Sequence, residues 1–174
     1  ILRKYNCGNI PTKLAKKMEI TLLVTGKTVS RELASLTADY AARASRYTPF
    51  EMKVLPDVRN ARALTPEQRK SAEGKQLLAA VSSSDFLMLL DERGRQYSSM
   101  DFAAMLQKRM ASGMKRLVFA VGGPYGFSFD VYERADGKIS LSAMTFSHEM
   151  VRLFFAEQIY RAMTILRGDP YHHE

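Results

Sequence analysis

Residues 85–91 read Asp85-Phe-Leu-Met-Leu-Leu-Asp91, five apolar residues in succession between two acids. A short unbroken apolar run predicts a strand buried on both faces, and such strands belong to parallel sheets covered by helices on both sides. A second run, Arg116-Leu-Val-Phe-Ala-Val121, has the same character and leads straight into Gly122-Gly-Pro-Tyr-Gly126. A third, Glu19-Ile-Thr-Leu-Leu-Val-Thr25, is closed by Gly26. Working outward, Arg31–Arg46 has the period of an amphipathic helix, and Phe50–Leu55 alternates and stops at Pro56, as a strand does. Residues 56–65 form a polar linker carrying Arg59 and Arg62. Thr65-Pro66-Glu67 has the form of a helix start, predicting a helix to about Val81. Ser98 and Asp101 are spaced as a capping box for a helix through about Ser112. A short helix over Phe129–Arg134, a strand over Lys138–Ser142 and a long helix over His148–Arg167 complete the series. Strands alternating with helices predict an α/β fold with a mostly parallel sheet and flanking helices. No internal repeat, low-complexity stretch or second domain interrupts the pattern.

The 174 residues are 46% hydrophobic, which suits one domain with a real core and excludes a disordered chain. Of the net charge of +8, residues 1–17 supply +5 through Arg3, Lys4, Lys13, Lys16 and Lys17, leaving +3 on the remainder. A mildly basic body permits an RNA partner without demanding one. Met18 directly precedes the first strand, so residues 1–17 are expected to be an extension outside the fold, and a basic RNA-binding arm is the alternative. Cys7 is the only cysteine, so an intrachain disulfide and a cysteine-based metal site are both excluded, in keeping with a reducing cytoplasm. No apolar run reaches the roughly 18 residues of a membrane span.

In open α/β sheets ligands bind beyond the carboxyl ends of the strands. Three strand ends carry unusual residues: Leu90-Asp91 with Glu92-Arg93-Gly94, the turn Gly122–Gly126, and Ser142–Phe146. Together they can build one pocket. The glycine turn lets backbone approach a ligand, but it lacks the endings of a phosphate-gripping loop or a dinucleotide fingerprint, and a tight turn without a ligand fits equally well. From spacing, Asp91 is expected in a cap or solvated turn, with a ligand hydroxyl as the alternative. His148 opens the last helix and Arg152 follows one turn later, a pair able to meet an anion at a helix start; packing or capping is the blander role for the histidine. The last helix is apolar nearly all round, which calls for either a central core position or a homodimer interface. The ending Tyr171-His172-His173-Glu174 is either frayed or folded over a site.

Taken together, Leu89-Leu-Asp91, Gly122-Gly-Pro-Tyr-Gly126, Leu141-Ser-Ala-Met-Thr-Phe-Ser-His148, Val151-Arg152 through Glu157-Gln-Ile-Tyr-Arg-Ala162, and Pro170-Tyr-His172 resemble the ribosomal large-subunit pseudouridine methyltransferase H family of the SPOUT superfamily. The resemblance covers Met18 to Glu174, a single SPOUT methyltransferase domain. It implies a C-terminal trefoil knot, an obligate homodimer and S-adenosylmethionine as methyl donor. It places cofactor binding at Leu90, Gly122, Gly123, Leu141, Ser142, Ala143, Met144, Thr145 and Phe146. The implied substrate is a pseudouridine of large-subunit ribosomal RNA in the ribosome, methylated at N3. Transfer to a ring nitrogen needs help in losing a proton. His172 is the candidate for proton handling, Arg152 for charge stabilisation and Tyr171 for stacking on the base. Two departures stand out: Tyr125 where many relatives carry Glu, and His173-Glu174 where relatives often carry Lys or Arg before the final residue. The competing readings are a non-catalytic ribosome- or RNA-binding module of the same fold and a nucleotide-binding α/β protein of another type. No metal and no membrane partner are expected.

Overall fold

A computed structural model describes residues 18–172 of the chain; the expected extension over residues 1–17, Cys7 included, and the pair His173-Glu174 lie outside the described residues. The elements follow in the order β1 (Glu19–Thr25), α1 (Arg31–Ser45), β2 (Phe50–Leu55), a 3-10 turn (Ala61–Ala63), α2 (Pro66–Ala79), β3 (Phe86–Gln96), α3 (Ser99–Ala111), β4 (Arg116–Val121), α4 (Phe129–Arg134), β5 (Gly137–Ser140) and α5 (His148–Arg167). The strands form one sheet in the order β2-β1-β4-β3-β5, and every pairing is parallel. All carboxyl ends therefore face the same edge, as the apolar runs predict.

The two-residue period of the strands sorts side chains into two cores. Ile20, Leu22 and Val24 of β1 and Leu117, Phe119 and Val121 of β4 point to one face, where α1, α3 and α5 cover them. Leu23, Leu87, Leu89, Val118 and Ala120 point to the other face, under α2 and α4. The first core is keyed by an aromatic cluster in which the Phe155 ring lies 4.6 Å from Phe119 and 6.1 Å from Phe102. Helix α5 packs on both α1 and α3. It is the central helix of its layer, which accounts for its apolar circumference; Phe154 remains 37% exposed.

Helix starts follow the side chains the sequence supplies. Ser30, Thr65, Ser98 and Ser147 each accept a hydrogen bond from a first-turn backbone N–H. Thr65 and Gln68 complete a reciprocal capping box. Ser98 and Asp101 make only half of one, because the Ser98 hydroxyl donates to the Asp101 carboxylate instead of leaving it to reach back to the backbone. At its other end α5 stops on Gly168 at φ 75°, with Asp169 N–H donating to Thr164 O.

Two strand boundaries differ from expectation. β5 ends at Ser140, two residues early, because the Ser140 hydroxyl turns onto the Ser142 carbonyl and opens the following loop. β3 does not stop at Asp91 but runs on to Gln96. It pairs with β5 through Leu90↔Ile139 and again through Arg95↔Ile139, so residues 91–94 bulge out between two pairings to one partner. Such a polar bulge leaves no hydrophobic period to read.

Candidate functional site

A cavity of about 700 Å³ opens beyond the carboxyl ends of β3, β4 and β5. Three segments wall it: the β3 bulge at residues 90–93, the turn after β4, and the loop between β5 and α5. Eight of the nine expected cofactor residues line it, namely Leu90, Gly122, Gly123, Leu141, Ser142, Met144, Thr145 and Phe146. Ala143 lies in the same loop but faces solvent. The sheet order causes this convergence: β3 is flanked by β4 and β5, so the ends of three strands adjacent in space meet although Glu92 and Thr145 lie 53 residues apart along the chain.

Local hydrogen bonds shape each wall. Met144 N–H donates to the Ser142 hydroxyl at 2.9 Å, and the Thr145 hydroxyl donates to Glu92 at 3.3 Å, tying the last loop to the bulge. Gly123 and Gly126 form an isolated bridge across the glycine turn, and Gly126 takes φ 78°. Asp91 accepts from Arg93 N–H at 2.8 Å and from the Tyr132 hydroxyl. Asp91 therefore sits half-buried in the bulged part of β3, where it neither caps a helix nor lies in a solvated turn. Burial first, and then the hydrogen bond to Asp91, push the Tyr132 phenol up to about 12. Tyr132, Lys70 and Val151 also line the cavity. Nothing local in the sequence marks Lys70 or Tyr132 as a wall residue, because each comes from a helix whose approach to the strand ends is a tertiary fact.

The expected catalytic residues sit elsewhere in the single chain. His148 lines the cavity, but Arg152 does not. The Arg152 guanidinium is 1% exposed and donates to Thr25 O at 2.7 Å, Gly26 O at 2.9 Å and the Thr28 hydroxyl at 3.0 Å. It forms no ion pair among the described residues, its Nε has no partner, and burial lowers its pKa. The anticipated His148–Arg152 anion pair is thus not assembled: one turn deeper along α5, the side chain lies over the end of β1 instead of over the cavity. Tyr171 and His172 follow the opposite end of α5. That helix has 20 residues, so its ends are about 30 Å apart. The Tyr171 hydroxyl donates to Glu157 at 3.1 Å, its ring packs on Tyr160 at 4.6 Å, and burial raises its pKa. His172 Nδ1 lies 3.4 Å from Arg161.

No group of three or more metal-ligating side chains occurs among the described residues, and no described helix is long and apolar enough to cross a membrane.

A sequence profile described as Predicted SPOUT methyltransferase matches residues 18–172. The chain is 58% identical over 157 residues to a protein of Porphyromonas gingivalis named Ribosomal RNA large subunit methyltransferase H, covering 90% of this chain and all of the relative. A protein of the same name from Christiangramia forsetii is 54% identical over 156 residues, covering 90% of this chain and 99% of its own length. Among solved structures, the SpoU methyltransferase AviRb from Streptomyces viridochromogenes in complex with AdoMet matches with a TM-score of 0.41 and 10% identity, over 87% of this chain and 62% of that one.

Proposed function

The chain belongs to the SPOUT methyltransferase family, and on that premise we propose that it transfers a methyl group from S-adenosylmethionine to N3 of a pseudouridine in large-subunit ribosomal RNA. One observation carries the reading: residues 90, 122–123, 141–142 and 144–146, far apart in sequence, wall one cavity at the carboxyl edge of a parallel sheet. The relatives' name, Ribosomal RNA large subunit methyltransferase H, supports large-subunit ribosomal RNA as the substrate.

The cavity fits the cofactor. Its volume of about 700 Å³ falls in the range of small-molecule sites. Leu90, Leu141, Met144 and Phe146 offer apolar walls for an adenine, and the Gly122-Gly123 turn lets backbone groups approach it. When bound, S-adenosylmethionine supplies an electrophilic methyl group. The protein's part is to hold the acceptor in line with that methyl and to ease loss of the ring proton.

His172 is the proposed group for proton handling and Tyr171 for stacking on the base, while Arg152, buried over the end of β1, is assigned to holding the turn at Thr25–Thr28 and not to the site. The tail lies at the far end of α5 from its own chain's cavity, so the proposal assigns Tyr171 and His172 to the site of a second copy in a homodimer. Exposed apolar side chains near the cavity support a dimer: Met144 is 74% exposed, and Phe146 and Phe154, each 37% exposed, lie with tilted rings 5.1 Å apart. The family's trefoil knot is proposed for the segment in which β5 returns to the outer edge of β3. With a ribosomal substrate, the proposed location is the cytoplasm.

The test is transfer of a labelled methyl group from S-adenosylmethionine to assembled ribosomes, free large subunits and naked RNA in parallel, each lacking the modification. Methylpseudouridine in the large-subunit RNA is the expected product. Cofactor binding without transfer to any of the three would favour a binding module that keeps the fold and not the chemistry.

A further inference from the structure

Behind the glycine turn stands a buried carboxylate. Glu73 projects from the middle of α2 and is 5% exposed. Its Oε1 accepts from Arg69 Nε at 2.8 Å, one helical turn earlier. Its Oε2 is buried with no hydrogen-bond partner. A buried carboxylate oxygen without a donor is costly, so an acceptor left open at a functional loop calls for a purpose.

The carboxylate is pressed against Gly123. A β-carbon on Gly123 would sit 2.8 Å from the Glu73 carboxyl carbon and closer still to Oε2. Gly123 lines the cavity on its other side, and Glu73 does not. The turn is thus one backbone layer thick, with ligand space in front and a carboxylate behind. The same helix grips the turn at a second point: the Arg69 guanidinium lies over the Tyr125 ring, 5.8 Å from its centroid, and Tyr125 is at the cavity wall.

Resting on the cofactor reading above, we propose that Glu73, held by Arg69, is a positioning residue for cofactor binding: its carboxylate sets the height of Gly123, and Oε2 accepts a backbone N–H of the Gly122–Gly126 turn when the site is filled. Tyr125 fastens the outer side of the turn to the same arginine. Cofactor affinity then includes a hydrogen bond that never touches the cofactor. Gly123 is required because any side chain would displace the carboxylate.

Calorimetric titration of the full-length protein with S-adenosylmethionine tests this, alongside thermal unfolding and the kcat and KM of methyl transfer. Glu73→Gln keeps the size and shape of the side chain and removes the charge. Losing a hydrogen bond to a charged acceptor predicts a Kd and a cofactor KM raised about tenfold or more, with kcat at saturating cofactor little changed. A structural role alone would lower the melting temperature and leave the Kd of the folded protein where it was; that result for Glu73→Gln overturns the proposal. Gly123→Ala provides a second, independent reading. It should weaken binding strongly in the parent protein and much less in a Glu73→Ala background, where the obstructing carboxylate is gone. Equal losses in both backgrounds would overturn the coupling. Failure of the unmodified protein to bind S-adenosylmethionine would instead remove the cofactor reading itself, and this proposal with it.

Discussion

The backbone of Ile139 in β5 passes Gly94 in β3 so closely that a β-carbon on Gly94 would lie 2.5 Å from the Ile139 carbonyl carbon. Backbone atoms cannot swing aside as a long side chain can. This contact fixes where β3 resumes pairing after its bulge, and so where residues 90–93 stand in the cavity wall. Gly94→Ala should therefore cost about 1–3 kcal/mol through overpacking and weaken cofactor binding through a displaced bulge. Urea unfolding and calorimetric titration measure the two effects. Parent-like values in both would show that the strands can part without loss.

Tyr132 and Asp91 give a spectroscopic prediction. The phenol stands at about 12 because it is partly buried and donates to a carboxylate. Ultraviolet titration of tyrosinate should find Tyr132 ionising well above the ordinary value of about 10, with Tyr47 and Tyr171 also raised. Asp91→Asn should bring Tyr132 back toward that value. The raised pKa favours the folded state fully below about pH 10, and that contribution disappears as pH climbs from about 10 to about 12, because the unfolded chain ionises first. Tyr132→Phe should flatten this part of the stability profile.

Arg152 is a buried cation serving three oxygens of the turn after β1. Arg152→Ala strands the Thr25 and Gly26 carbonyls and leaves a large void, so a loss of about 3–5 kcal/mol is expected. Arg152→Lys should recover only part of this, since an ammonium cannot span the spread of acceptors that the planar fork reaches. Equilibrium unfolding of both variants, with Lys no worse than Arg, would argue against a role for the fork.

The proposed sharing of the tail between copies predicts complementation. His172→Ala should lower methyl transfer while sparing cofactor binding. Mixed with a variant disabled at the glycine turn, it should regain roughly a quarter of the parent activity, because random pairing leaves one intact composite site in half of the dimers. A mixture as inactive as its parts would return the tail to its own chain.

Much of the architecture was readable in one dimension. The unbroken apolar runs at 86–90 and 117–121 demand burial on both faces, which only a helix-covered parallel sheet provides, and the capping residues Thr65 and Ser98 mark helix starts because their side chains satisfy local backbone donors. The loops at 122–126 and 141–146 were legible as site elements because glycine and short polar residues interrupt an otherwise apolar pattern. What lay beyond the sequence depends on contacts between residues remote along the chain. The extension of β3 through polar residues is held by β5, not by its own hydrophobicity. The burial of Arg152 is decided by where α5 crosses the end of β1. Glu73 reads in sequence as one more charged residue on an amphipathic helix, and only the packing of α2 behind Gly123 makes it a carboxylate enclosed at the back of a site. Local chemistry was enough to say which segments form strands, helices and turns; which side chains meet was settled by the order of strands in the sheet, because proximity in three dimensions is a property of the assembled layers and of no single stretch within them.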